Sequence, residues 1–287
     1  MPINSVEICF LEVLPMDLLS SSESYGKYAL KGYRKWLYDL AQWLPKSSLN
    51  FRISLVLRKL TLQNKLRIID QDILGLKARF YPLDNLFDRH ILFQTKYSDV
   101  EEFDLIKTFL NEDSIFIDIG ANTGFYSLLA ANKINQPNHI LAFEPNPVML
   151  NRFKQNIVFN QKEDIIKVLP IGLADKNGEF TLHLNTKNLG SSSIIHDYEE
   201  GGIQIKCYPL LDILNKHDIK RIDLLKIDIE GADGLVMQHF FNNAPGSLFP
   251  RAILIETDND INFKQHGYKL ANKTKSGNKI YRLNDIH

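Results

Sequence analysis

The stretch SIFIDIGANTGFYS, Ser114 to Ser127, decides how this chain is read. Ile115, Phe116, Ile117 and Ile119 make a short apolar run of the kind that fills a strand buried on both faces of a parallel sheet. Asp118 ends it, and Gly120 and Gly124 let the backbone turn sharply and come close to a ligand. Phe125, Leu128, Leu129 and the Ala130/Ala131 pair then open a helix that packs back on the strand. A helix start facing such a turn is a site for a nucleotide-type cofactor.

The glycine spacing narrows the ligand. GANTG is not G-x-G-x-x-G, and no Lys-Ser/Thr follows as in a P-loop, which argues against NAD and ATP. An acid two positions before the first glycine suits a ligand with a cationic end, and S-adenosylmethionine carries both an ammonium and a sulfonium. A second acid, Glu144 in ILAFEPNP, follows the apolar strand Ile140 to Phe143. It lies about 20 residues past the loop, where a carboxylate accepts both ribose hydroxyls, although spacing alone fits NAD as well. The cofactor candidates are therefore Asp118, Gly120, Asn122, Thr123 and Gly124 for the methionine end and Glu144 for the ribose. Asn122 also suits the turn itself, and Asn146 reads as a helix cap ahead of Pro147.

Composition bounds the rest. With 287 residues the chain is long enough for one substantial core, and 44% hydrophobic with 24% charged residues excludes a disordered chain. A net charge of zero gives no whole-protein pull toward nucleic acid. Two cysteines, Cys9 and Cys207, are too few for a disulfide framework or structural zinc and fit a reducing compartment, so cytoplasm is the expected location. The apolar run Val6 to Leu19 carries Glu7, Glu12 and Asp17, is broken by Pro15 and lacks a basic leader, so it reads as neither signal peptide nor membrane span.

Neutrality hides an asymmetry. Between Tyr25 and Arg67 ten Lys/Arg face one acid, Asp39. One reading is a helical cap with a solvated face. The other is an anionic partner, an acidic glycan or a membrane surface touched peripherally. Helical spacing runs from Tyr25 to Leu44, and Phe51 to Ile69 reads as one or two more helices. Gln71 to Phe93 contains strands or a hairpin, and the division between an N-terminal extension, 1–78, and a main domain, 79–287, falls there. A helix over Asp99 to Leu110 precedes alternating strands and helices: strands at 115–119 and 139–143, a helix at 147–160 and a strand at 165–173. Added strands at 179–184 and 203–208 interrupt the alternation, which resumes with a helix at 209–217, a strand at 222–229, a helix at 232–241 and a strand at 252–255. A hairpin, 268–270 with 279–282, closes the chain.

Taken together, DIGANTGFYS, AFEPNP, the GSSSI loop, LLKIDIEGAD, PRAILIE and GYKL resemble the FkbM-type family of S-adenosylmethionine-dependent methyltransferases, over roughly residues 79 to 287. The resemblance implies an α/β fold of class I methyltransferase (Rossmann-like) type: a seven-stranded, mostly parallel sheet with helices on both faces, here preceded by the helix-rich segment. It also implies O-methylation of a sugar, glycan or other hydroxylated small molecule. Asp233 departs from the family's usual Glu after EGA.

A hydroxyl is a poor nucleophile without a base. Asp228 and Glu230, in KIDIEG at the end of a buried strand, are the first candidates for base or acceptor-orienting group, and Lys226 beside them is a candidate for an anionic substrate group or for pairing with an acid. His196 reads as a surface histidine. Asp228, Glu230, Glu256 and Asp258 are oxygen ligands a metal would accept, but acid-rich sheet edges are common and no metal is expected. The competing readings are a non-catalytic interaction protein on the same fold and an NAD-dependent oxidoreductase. Nucleic acid is not expected, because the catalytic half lacks a basic stripe interleaved with aromatics. The acceptor and the oligomeric state are not legible.

Overall fold

A computed structural model describes residues 21–63, 65–97, 100–185, 188–194, 202–229, 231–256 and 261–284. Expectations for Glu230, Asp258, His196, Cys9 and the run from Val6 to Leu19 fall outside these residues.

The first two helices among the described residues are α1 (Gly32–Trp43) and α2 (Ser48–Leu62). Ser47 caps α2 by accepting from the Asn50 amide, and Gln63 in the left-handed region ends it. The first helix is shorter than its sequence period suggests. Residues from Tyr25 to Leu30 form turns and a bridge from Ala29 to Asp70 instead. The cause is tertiary. The Asp70 carboxylate accepts from the Gly26 and Tyr28 amides, and the Arg79 guanidinium donates to the carbonyls of Ser21, Glu23 and Ser24. Backbone groups bound this way are not available to a helix. The second helical expectation, which ran to Ile69, also ends early, because Ile69 already pairs in a strand.

That strand, β1 (Ile69–Ile73), and β2 (Leu76–Phe80) form an antiparallel hairpin. The division expected at residues 78 and 79 falls inside β2. Helices α3 (Leu86–Gln94) and α4 (Val100–Phe109) lead into the main sheet.

The main sheet contains β3 (Phe116–Ile119), β4 (Ile140–Phe143), β5 (Ile166–Leu169), β9 (Leu224–Ile227), β10 (Ala252–Ile255), β11 (Tyr268–Lys273) and β12 (Lys279–Leu283). Its order is β11-β12-β10-β9-β3-β4-β5. Pairs among β10, β9, β3, β4 and β5 are parallel, whereas β12 runs antiparallel to both its neighbours. This is the seven-stranded, mostly parallel sheet of a class I methyltransferase fold. Helices α5 (Phe125–Ala130), α6 (Pro147–Asn160), α7 (Leu210–Lys216) and α8 (Asp233–Asn243) provide the crossovers, and a buried apolar cluster seals each face of the sheet.

The strand expected over 165–173 is two strands. β5 ends at Leu169, Pro170 supplies no amide, and β6 (Gly172–Leu173) joins a separate sheet. There it pairs with β8 (Gly202–Tyr208), which pairs on its other side with β7 (Gly178–His183). Strand order reverses at β3, with β4 on one side and β9 on the other. The crevice beyond the carboxyl end of β3 is thus the place where open α/β sheets bind ligands.

Candidate functional site

The turn after β3 is built by glycines that nothing else can replace. Gly120 has φ +73°, and a Cβ there would lie 2.0 Å from the Asp228 carbonyl oxygen. The ends of β3 and β9 therefore touch only because residue 120 has no side chain. Gly124, at φ +82°, would drive a Cβ to 1.9 Å from the Phe153 ring, so its role is to seat α5 against α6. Asn122, between them, holds φ +53°, and its Oδ1 accepts from Asn85 Nδ2 at 2.8 Å.

Beyond this turn lies a cleft of about 1000 Å³, counting the solvent at its mouth. Gly120, Asn122 and Glu144 line it from β3 and β4, Asp228 and Ile229 from the end of β9. The small sheet provides a wall through Leu173, Leu182 and Ile205, and Gly190, Ser191 and Ser192 close over it. Polar and apolar groups thus share a hollow at the carboxyl ends of β3 and β9, the place where such a sheet takes a ligand.

Glu144 is buried and directed by two backbone amides. Its Oε2 accepts from Asn122 N at 2.7 Å and its Oε1 from Asn146 N at 2.9 Å. Burial pushes its pKa up to about 7, against the pull of those amides and of Lys226. The free protein therefore holds a proton there that the unfolded chain releases near the ordinary value of 4.5. This contribution to stability is complete below that value and is lost as pH rises through about 7. Asp88 and Asp233, each raised by burial to about 6, act in the same direction. Urea unfolding between the two limits should accordingly show stability falling with pH. Glu144→Gln should flatten the upper part of that decline and leave the part due to the two aspartates.

Behind the cleft wall sits a buried ammonium. Lys226 Nζ lies 3.6 Å from Asp118 Oδ1 and 3.7 Å from Asp228 Oδ2, and it donates to the Gly120 carbonyl at 3.2 Å. Burial opposes its charge, yet the carboxylates of Asp228, Asp118, Glu102 and Asp233 outweigh burial and hold its pKa above that of an ordinary lysine. Asp118 Oδ2 accepts from Ser127 Oγ at 2.6 Å. Asp118 is fully buried and faces Ser127 and Lys226, whereas Asp228 is 43% exposed and faces the cleft.

The candidates thus divide into two layers. Gly120, Asn122, Glu144 and Asp228 meet at the cleft. Asp118 and Lys226 support them from behind, and Thr123 turns away, its Oγ1 donating to Asp88 Oδ1 at 2.8 Å. Asn146 is the cap expected of it, accepting from the amides of Val148 and Met149. Asp233 gains a role: its Oδ1 accepts from Ile229 N at 3.2 Å, closing the turn that follows Asp228. Asn85, Asn188 and Phe87 also line the cleft without any expectation from the sequence; Asn85 caps α3 by accepting from the Phe87 and Asp88 amides. Among the described residues no three His, Cys, Asp or Glu side chains gather as a metal site.

Residues 118–270, just over half of the chain, match the methyltransferase FkbM domain. The chain belongs to the FkbM methyltransferase family. Methyltransferase sdnD of Sordaria araneosa is 30% identical over 154 residues, covering 43% of this chain and 59% of that relative. Methyltransferase 1 of Beauveria bassiana is 28% identical over 141 residues, covering 42% of this chain and 56% of its own length. The match therefore spans less than two thirds of either relative. A crystal structure of methyltransferase FkbM from Methylobacillus flagellatus KT aligns over 88% of this FkbM-family chain and 59% of its own, with 13% identity and a TM-score of 0.41.

Proposed function

We propose that this chain is an S-adenosylmethionine-dependent O-methyltransferase whose acceptor is a hydroxyl of a sugar, a glycan or another hydroxylated small molecule. The observation that carries the reading is that Glu144 and Asp228 line one cleft from either side of the Gly120 to Asn122 turn.

The residues fit the cofactor. Asn122 and Asn146 each give Glu144 one hydrogen bond, leaving lone pairs on both oxygens for the two hydroxyls of a ribose. The apolar side chains of Phe143, Ile171 and Leu173 suit a purine ring. Gly190 keeps the cleft open, since a Cβ there would lie 2.6 Å from Asn122 Nδ2. When bound, the cofactor supplies an activated methyl group on a sulfonium, and transfer is an in-line displacement. The chain's task is to orient the acceptor hydroxyl, exclude water and take up its proton. Among the described residues three carboxylates line the cleft, Glu144, Asp228 and Glu256; Glu144 is held by two amides, and Asp228, beside the Gly120 turn, is the one assigned to accept that proton at Oδ1 or Oδ2. Lys226 and Asp118 are positioning residues that fix the floor beneath it.

Calorimetric titration with S-adenosylmethionine, S-adenosylhomocysteine and NAD tests the cofactor half. Micromolar binding of the first two with none of the third is expected, and a folded sample that binds neither would overturn the reading. For the second half, an acceptor is found by screening glycans and hydroxylated metabolites for S-adenosylhomocysteine release. On that acceptor Asp228→Asn should retain cofactor affinity and lose turnover by roughly 10²- to 10⁴-fold. Unchanged turnover would move the base elsewhere.

A further inference from the structure

The helix pair at the start of the described chain carries a surface that the methyl-transfer reading does not use. On α1, Tyr33, Trp36 and Trp43 project into solvent, the two tryptophans 62% and 77% exposed. On α2, Leu49, Ile53, Val56 and Leu60 do the same. Each set follows helical spacing and so forms one continuous row. Other sides of the helices hold the buried residues, Tyr38 and Ala41 on α1 and Ser54, Leu57, Thr61 and Leu62 on α2. The two helices pack on each other and both rest on α3, so the rows belong to one two-helix hairpin. A pair of exposed apolar rows holding two tryptophans is far from the scattered single hydrophobes of an ordinary surface.

Charge identifies what would cover them. From Lys31 to Leu62 seven Lys/Arg face one acid, Asp39, which Lys35 already pairs at 2.6 Å. Lys31, Lys46, Arg52 and Lys59 are exposed along the same helices and the turn between them. A second copy of the hairpin would bring like charges together. The aliphatic row on α2 gives nucleic-acid bases no aromatic platform on which to stack. Tryptophan and tyrosine beside aliphatics and basic side chains are the groups that settle at the interface of an anionic bilayer, rings at headgroup depth and ammonium and guanidinium groups on lipid phosphates. No helix among the described residues is long and apolar enough to cross a membrane, so the contact would be peripheral. We infer that the α1–α2 hairpin docks this protein on an anionic lipid surface through the Trp36/Trp43 row and the Leu49 to Leu60 row.

The chain contains two tryptophans, both in this row, so intrinsic fluorescence reports on this surface directly. Titrating the full chain with vesicles of phosphatidylcholine containing phosphatidylserine should shift the emission to shorter wavelength, and brominated lipids should quench it. Pure phosphatidylcholine vesicles should give neither effect. Raising salt from ~50 mM to ~500 mM, which shortens the Debye length severalfold, should weaken binding by at least about tenfold. In vesicle co-sedimentation, Trp36→Ala/Trp43→Ala and separately Arg52→Glu/Lys59→Glu should each lower partitioning roughly tenfold or more with unchanged circular dichroism. An unshifted emission together with no co-sedimentation would overturn the proposal. So would emission already blue-shifted and shielded from acrylamide in the free protein, whether concentration-independent, meaning that another part of the chain covers the row, or concentration-dependent, meaning that a second copy does. Equal binding of both charge states of vesicle would also refute the electrostatic half.

Discussion

Glu144→Ala should weaken S-adenosylmethionine binding by about a hundredfold or more while the chain stays folded. Hydrogen bonds to a charged group contribute about 1.5–3 kcal/mol each, and two ribose hydroxyls would share this carboxylate. Solvent in the cleft can satisfy the Asn122 amide once the side chain is gone, so the loss falls on binding more than on folding. Protonation sharpens the test. Hydroxyl donors favour the ionised carboxylate, and burial holds the free group up to about 7. Cofactor affinity should therefore rise with pH toward that value and level off above it, and Glu144→Gln should remove the rise. Calorimetry across that range measures both effects. Wild-type affinity in the alanine variant would take Glu144 out of the cofactor site.

The second large effect is on stability. Asp70→Ala should cost about 3–5 kcal/mol, because it strands a guanidinium in the interior. The pair is fully buried and bidentate: Arg79 Nε lies 2.7 Å from Asp70 Oδ1, and Nη2 lies 3.0 Å from Oδ2. The three carbonyls that Arg79 also holds do not neutralise its charge. Asp70 further accepts from the Gly26 and Tyr28 amides, so those two donors lose their partner as well. For a chain of this size the thermal midpoint should fall on the order of 10 °C. Scanning calorimetry reads this directly, and a shift under about 2 °C would mean that the network relaxes around the loss. Cofactor binding, measured well below the new midpoint, should persist.

What the sequence makes legible is what neighbours in the chain decide. The apolar run, the glycine turn and the helix around Asp118 follow from residues within one short window, and so do the cap at Asn146 and the strand before Glu144. Direction into the cleft does not follow locally. Asp118 and Asp228 both stand at strand ends, yet the first turns to Ser127 and Lys226 and the second toward solvent. Thr123 finds Asp88, 35 positions away, and Gly124 is a glycine because of Phe153. Neither partner is marked by any pattern at the turn. The start of α1 departs from its sequence period for the same reason. Its apolar period runs back to Tyr25, but the Asp70 and Arg79 side chains, drawn from a hairpin some forty residues later, claim the backbone first.

The sheet of β6, β8 and β7 encloses a small interior of its own, made of Ala174, Leu182, Leu184, Ile205 and Cys207. Among the described residues of its strands, Leu173 joins the core beneath the main sheet and Tyr208 packs against that core. One face of the cleft and its floor therefore rest on different foundations. Substitutions among Leu182, Leu184, Ile205 and Cys207 would reach one wall of the cleft without touching the apolar cluster packed around the strands that lead to Glu144 and Asp228. On the proposed methyl-transfer reading, exchanges at Leu182 and Ile205, which line that wall, should alter acceptor preference more than affinity for S-adenosylmethionine.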